Sequence, residues 1–215
     1  MDLYFSYTST YSQKVLLGLY EKSVPFNPQL VDLADAKAHA RYREFYPFGK
    51  VPLLVRDDGR MIPESTIILE YIDHRFQRGP QLIPADHEQA LQVRLLDRMC
   101  DQYLNDPVVT LIFESWKLPG QRDVDIIDRA TEKLGIMYRY LNDHLAGRNF
   151  MSGDQFTLAD CAAIPPLYYA RAFADLASVP QLQDYWDRMA QRPAFVRLQK
   201  EAEPYVRALM GAKQA

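Results

Sequence analysis

Apolar and polar positions change their period along this chain, and the change divides it in two. Leu3-Tyr4-Phe5 is a short apolar run followed by the hydroxyl-rich Ser6-Tyr7-Thr8-Ser9-Thr10-Tyr11-Ser12, which reads as a strand running into a loop. Val15, Leu16, Leu19 and Tyr20 recur at helical spacing up to Pro25, and Phe26 to Leu33 reads as a second strand, so the segment predicts a βαβ unit with a right-handed crossover. Ala34 to Tyr46 predicts another, more polar helix. Pro52 opens the next apolar run; proline has no donor for a ladder, so it belongs at the first residue of a strand, with Val51 extended before it. Asp58-Gly59 predicts a two-residue hairpin loop with positive φ at both positions, and the second strand of the hairpin ends near Ile62. Glu64-Ser65-Thr66 then precedes Ile67, Ile68, Leu69, Tyr71 and Ile72, the pattern of a helix with a wide apolar face and a hydroxyl at its start.

Beyond the Gly- and Pro-bearing stretch Gln77 to His87 the pattern is helical. Glu88 to about Ser115 predicts one long helix, and Val124 to Leu145 another, with Ile127, Leu134, Tyr138 and Leu141 on one side. Thr157-Leu158-Ala159-Asp160 has the spacing of a capping box, aspartate standing third where Glu or Gln is usual, with Phe156 placed to staple the entry. Pro165-Pro166 should bend that helix. Shorter helices are expected at Leu182 to Ala190 and, after Pro193, at Ala194 to Leu209. The expectation is therefore α/β plus all-α: residues 1–78 as one domain, 79–87 as a linker and 88–215 as an all-helical domain.

Composition narrows the function classes. With 215 residues, 48% hydrophobic and 25% charged content and a formal net charge of −3, the chain describes a soluble globular protein with no electrostatic case for nucleic acid. Cys100 and Cys161 lie far apart and form no framework, which fits a reducing cytoplasm. Secretion and membrane insertion are not expected, because Asp2 follows the first residue and no apolar run is long enough to span a bilayer. His39, His74, His87 and His144 have no metal-binding spacing, and no metal is expected. Gly147 and Gly153 make no phosphate loop, and Cys100 and Cys161 read as buried small hydrophobes.

The hairpin and the helix after it carry the most specific chemistry. Free amides at that helix start favour a carboxylate, and Glu64 beside them would accept from an ammonium group, so an α-amino acid end satisfies both. A cis Val51–Pro52 bond would expose the Val51 amide and carbonyl to pair with a bound peptide as an extra strand, although sequence does not choose the isomer. The same residues also fit a plain hairpin packed on a helix, with Glu64 and Ser65 as cap residues only.

Pro47-Phe48-Gly49-Lys50-Val51-Pro52-Leu53, Pro63-Glu64-Ser65, the linker and Phe156-Thr157-Leu158-Ala159-Asp160 together resemble the cytosolic glutathione S-transferases in order and spacing over nearly the whole chain. The resemblance implies an N-terminal thioredoxin-like domain of βαβ-α-ββα order, a C-terminal helical domain, a homodimer, and glutathione as cosubstrate. It implies that Glu64 and Ser65 hold the γ-glutamyl end, that Val51 beside Pro52 pairs with the cysteinyl part, and that Lys50, with Lys37 and His39 as weaker candidates, meets a glutathione carboxylate. In serine-type members the activating serine stands about six residues before an apolar position of the first helix, which on counting back from Val15 points to Ser9. Tyr11, Ser12 and Tyr7 are its rivals in a loop crowded with hydroxyls. The tyrosine-type position falls near Phe5, which has no hydroxyl, and no C-x-x-C pair suggests a cysteine-type activity. Attack of the glutathione thiol on a small hydrophobic electrophile is the expected reaction, with Tyr7, Tyr103, Phe113, Trp116, Tyr168 and Tyr169 as aromatic candidates for the electrophile site. Isomerase, dehalogenase and peroxidase chemistry stay open within the family, although the Ser-Ser-Cys of the ring-opened acid isomerases is here Ser9-Thr10-Tyr11. A non-catalytic relative is the alternative of another class, either a ligand-binding homologue or one that binds RNA polymerase as the stringent starvation proteins do.

Overall fold

The structure, a computed structural model, describes residues 1–211, the last three as backbone; residues 212–215 of the expected helical domain lie outside the described residues. The described residues form two compact units, residues 1–82 together with 197–211, and Ile83–Val196. Residues 197–211, expected in the helical half, group with the first unit.

In the first unit the order is β1 (Asp2–Phe5), α1 (Thr10–Glu21), β2 (Asn27–Leu30), α2 (Ala36–Phe45), β3 (Leu53–Val55), β4 (Met61–Pro63) and α3 (Ser65–Arg75), the βαβ-α-ββα order expected. The sheet runs β2-β1-β3-β4, with β1 parallel to β2 and antiparallel to β3. The second strand is shorter than its apolar pattern, beginning at Asn27, and its Pro28 is tolerated because β2 is an edge strand. Side chains alternate across the sheet. Tyr4 and Leu53, paired in register, face α2, where Tyr42, Val31 and Leu53 form a buried cluster and Tyr4 stacks on Tyr42 with centroids 5.9 Å apart. Leu3, Phe5 and Leu54 are buried on the opposite face.

Three contacts set the direction of the two helices that pack together there. Lys14 Nζ donates to Thr66 Oγ1 at 3.0 Å, Gly18 lies against Leu69, and Lys22 Nζ donates to Asp73 Oδ1 at 2.8 Å. Both residue numbers rise together, so α1 and α3 run parallel and start at the same end of the unit.

The hairpin corrects one local expectation. Among non-glycine residues only Ser23 and Glu64 have positive φ in the described chain, so Asp58 does not, while Gly59 does at 80°. Arg56 N donates to Arg60 O and Gly59 N to Arg56 O, each at 2.9 Å, which makes a three-residue loop with glycine alone in the left-handed position. Asp58 instead accepts from the Arg60 amide at 3.1 Å through its side chain.

The second unit contains α4 (His87–Met99), a π-helical turn (Cys100–Asn105), α5 (Asp106–Ser115), a 3₁₀ turn (Pro119–Gln121), α6 (Val124–His144), α7 (Leu158–Ala170) and α8 (Pro180–Ala190); α9 (Pro193–Gly211) leaves it at Val196. The long helix expected to Ser115 is thus interrupted by a wider turn, which apolar periodicity of 3.6 does not register. The helix α7 is buried on all sides from Leu158 to Leu167, with Tyr168 and Tyr169 half-buried, and continues through Pro165 and Pro166. Asp160 in its first turn is fully buried and accepts from Thr157 N at 2.8 Å, Met151 N at 2.9 Å, Tyr185 OH at 2.9 Å and Thr157 Oγ1 at 3.1 Å. The reciprocal half of the expected capping box is therefore in place.

Candidate functional site

Sheet register brings three distant segments to one end of the first unit. Tyr4 pairs with Leu53, and Leu53 with Pro63, so the exit of β1, the entry of β3 and the exit of β4 lie side by side. They lead to the Ser6–Ser9 loop, to Val51-Pro52 and to Glu64-Ser65 respectively. The parallel helices reinforce this, since Ser9 precedes α1 and Glu64 precedes α3 at that same end. Two helix starts, with their free amides and positive dipole ends, therefore border one place.

Ser9 is the cap of α1, with φ −95° and ψ 120°, and its Oγ accepts from Ser12 N at 3.2 Å. A hydroxyl has one hydrogen and two lone pairs, so this bond leaves the Ser9 hydrogen available for donation. Ser12 is fully buried, and its Oγ accepts from Ser6 N at 3.3 Å, which turns it into the loop and away from solvent. Tyr11 is half-buried on the first turn of α1. Tyr7 donates its phenol to Glu201 Oε2 at 3.1 Å; burial first, then the Glu201 charge, pushes that phenol up to about 12.

Val51–Pro52 is cis. The carbonyls ahead of it are held from α2: Tyr42 OH donates to Lys50 O at 2.9 Å, and His39 Nε2 lies 3.0 Å from Gly49 O. A carbonyl oxygen only accepts, so His39 Nε2 carries a hydrogen in this bond. Lys50 and Lys37 are exposed. Glu64 has φ 70° and ψ 120°, makes no cap bond with its side chain and projects into solvent, whereas Ser65 beside it is buried.

The other aromatic candidates belong to the second unit. Tyr103, in the π-helical turn, and Phe113 are exposed; Phe113 meets Trp116 edge-on at 5.0 Å, and Tyr168 meets Tyr169 edge-on at the same distance. Tyr168 also packs with Trp186 and Phe195. Sequence reasoning missed Glu201, Tyr20 and Arg197, which surround Tyr7. The Arg197/Glu201 spacing of four on a helix was visible, but nothing in it names a partner near residue 7.

Among the described residues no group of three His, Cys, Asp or Glu is placed to hold a metal ion, and no helix is long and apolar enough to cross a membrane. Residues 3–81 match the family model of the glutathione S-transferase N-terminal domain, and residues 100–193 that of the glutathione S-transferase C-terminal domain. Glutathione S-transferase 3 of Zea mays is 32% identical over 191 residues, covering 85% of this chain and 85% of its own. Glutathione S-transferase F13 of Arabidopsis thaliana is 28% identical over 209 residues, covering 92% of this chain and 94% of its own. A crystal structure of a glutathione S-transferase from Methylobacillus flagellatus KT with GSH bound matches with a TM-score of 0.83 at 29% identity, covering 92% of this chain and 98% of that one.

Proposed function

The chain belongs to the glutathione S-transferase family, enzymes with glutathione as cosubstrate, and on that premise we propose that it activates the glutathione thiol at Ser9 for attack on a small hydrophobic electrophile. The observation that carries this reading is the convergence of the Ser9 loop, Val51-Pro52 and Glu64-Ser65 at one end of a single sheet. Glu64 and the helix start at Ser65 meet the ammonium and carboxylate of the γ-glutamyl end, and the Val51 main chain pairs with the cysteinyl part. Lys50 is the nearest exposed cation in sequence to that strand and suits the glycyl carboxylate. With one nitrogen of His39 given to Gly49, that residue serves the site by holding the main chain before Val51. A cytoplasmic homodimer completes the reading.

The thiol chemistry can be stated in magnitudes. An ordinary thiol with pKa near 8.5 is only about 3% thiolate at pH 7. Two units of depression need about 2.7 kcal/mol of preferential anion stabilisation and raise the thiolate to roughly three quarters. A hydroxyl donated to a charged acceptor supplies about 1.5–3 kcal/mol, and the start of α1 up to about 1 more. Ser9 therefore acts as a hydrogen-bond donor to sulfur and need not lose its own proton.

Calorimetry and a pH titration of thiolate absorbance test this. Glutathione should bind, and Ser9→Ala should raise the bound thiol's pKa with little change in affinity. Absence of binding at millimolar glutathione overturns the reading, and an unchanged titration in the variant overturns the role of Ser9.

A further inference from the structure

Tyr7 stands two residues before Ser9 and is held at both ends. Its carbonyl oxygen accepts from the side-chain amide of buried Gln13 at 2.7 Å, and its phenol donates to Glu201 at 3.1 Å. Its ring meets the edge of Phe5 at 5.0 Å and stacks on Tyr205 at 4.9 Å. The same Glu201 Oε2 accepts from Tyr20 OH at 2.5 Å, while Oε1 accepts from Arg197 Nε at 2.9 Å. One carboxylate on α9 thus ties the loop before α1 to the last turn of α1.

The charge state suits a tie. Burial raises the Glu201 carboxyl, but donation from Tyr20 and Arg197 outweighs it and holds the group below the usual range, so it is an anion at neutral pH. Hydrogen bonds to an anion are the stronger kind. The single hydrogen of the Tyr7 phenol is spent on that anion, which leaves none for a thiolate. The local ties of the loop are mixed: Ser6 Oγ and Thr8 Oγ1 lie 2.9 Å apart and Ser9 N donates to Ser6 O at 3.1 Å, whereas Ser6 N to Ser12 Oγ at 3.3 Å and Thr8 N to Ser6 Oγ at 3.4 Å are long.

We propose that Glu201 is a positioning residue for thiol activation: acting through the Tyr7 phenol, it fixes the loop backbone that aims the Ser9 hydroxyl. The inference rests on the reading of Ser9 as thiol donor. Tyr7 is then an anchor of the loop, with its phenol turned away from both thiol and electrophile. Aim matters because a hydrogen bond weakens steeply with angle and a misplacement of about 1 Å at a reacting group costs up to about a hundredfold in rate.

The experiment uses the full-length protein, with Glu201→Gln, Tyr7→Phe, their double variant and Ser9→Ala. Thiolate absorbance of bound glutathione, glutathione affinity by calorimetry, kcat with 1-chloro-2,4-dinitrobenzene and thermal midpoints are read for each. Glutamine keeps the size but presents one acceptor oxygen where the phenols and Arg197 use two. Both single variants should raise the bound thiol's pKa by about one unit and lower kcat roughly tenfold, with affinity changed less than about threefold. The double variant should be no worse than the more affected single, because both break one connection. Glu201→Asp, which keeps the charge on a shorter stem, should recover part of the loss. Should thermal midpoints fall while the thiol pKa and kcat stay at wild-type values, Glu201 is a brace of the fold and the inference is overturned. If Ser9→Ala raises the thiol pKa and neither other variant does, this inference fails alone; if Ser9→Ala has no effect, the thiol-donor reading fails with it.

Discussion

Glu64 holds a backbone conformation that side chains other than glycine rarely adopt, with φ 70° and ψ 120°. Such a residue costs about 1–3 kcal/mol, and here no side-chain bond within the cap offsets it. Glu64→Gly relieves the strain and adds back about 0.5–1 kcal/mol of unfolded-state entropy. The expected result is a thermal midpoint equal to or above that of the wild type, with glutathione affinity lowered at least about tenfold; a clear drop in the midpoint would assign the side chain to the fold. At this scale the candidates are visible along the chain as residue types, and the family resemblance is what points to Ser9, six before Val15, and to Glu64 before Ser65. What favours Ser9 over Ser12 and Tyr7 in the proposed role is not legible in the sequence. Ser12 is fully buried with its Oγ turned to Ser6 N, and Tyr7 spends its hydrogen on Glu201, arrangements that depend on the folded loop and on a helix near the other end of the chain.

Elements were read well where one period persisted and poorly where the chain inserted a residue or a turn. The π-helical turn Cys100–Asn105 leaves the apolar pattern of the long helix unbroken, and the Asp57-Asp58-Gly59 loop differs from a two-residue turn only in which amide meets which carbonyl. The α1–α3 contact has no sequence signature at all, yet it sets the site. A Cβ on Gly18 would stand 2.4 Å from Leu69 Cδ2, and Leu69 is fully buried with little room to yield. Gly18→Ala should therefore destabilise the protein: overpacking costs about 1–3 kcal/mol and outweighs a helix-propensity gain of up to about 1 kcal/mol. A lower urea midpoint with an unchanged m-value is the expected observation. At the start of α7, Asp160→Asn replaces an acceptor that receives four donors, and should cost roughly 3 kcal/mol at pH 7 by the same assay.

Across the whole molecule, proton linkage and the return of the C-terminal helix are the properties that no single element shows. Burial pushes the Asp160 carboxyl up to about 6, against the hydrogen bonds it accepts, whereas the unfolded chain carries it near 3.9. Between about pH 6 and pH 4 the native state holds a proton that the unfolded chain has released, so stability from this group is gained as the pH falls through that window. The stability difference between wild type and Asp160→Asn should accordingly widen from pH 7 to pH 4.5 in urea titrations. A chain ending at Val196 loses the buried Leu198 and the Tyr7–Glu201–Tyr20 connection, and its thermal midpoint should fall by several degrees, with about 1.5–3 kcal/mol expected for the leucine alone. By itself the sequence determined the order of strands and helices and the capping box at Thr157-Asp160, because these depend on local periodicity and spacing, while the residues suited to glutathione are those its family resemblance implies. Tertiary structure alone decided that β1, β3 and β4 end beside one another, that α1 and α3 start together, and that Glu201 reaches Tyr7. Those are contacts between residues up to 194 positions apart, and side-chain patterns along the chain hold no record of which distant partner fills each hydrogen bond.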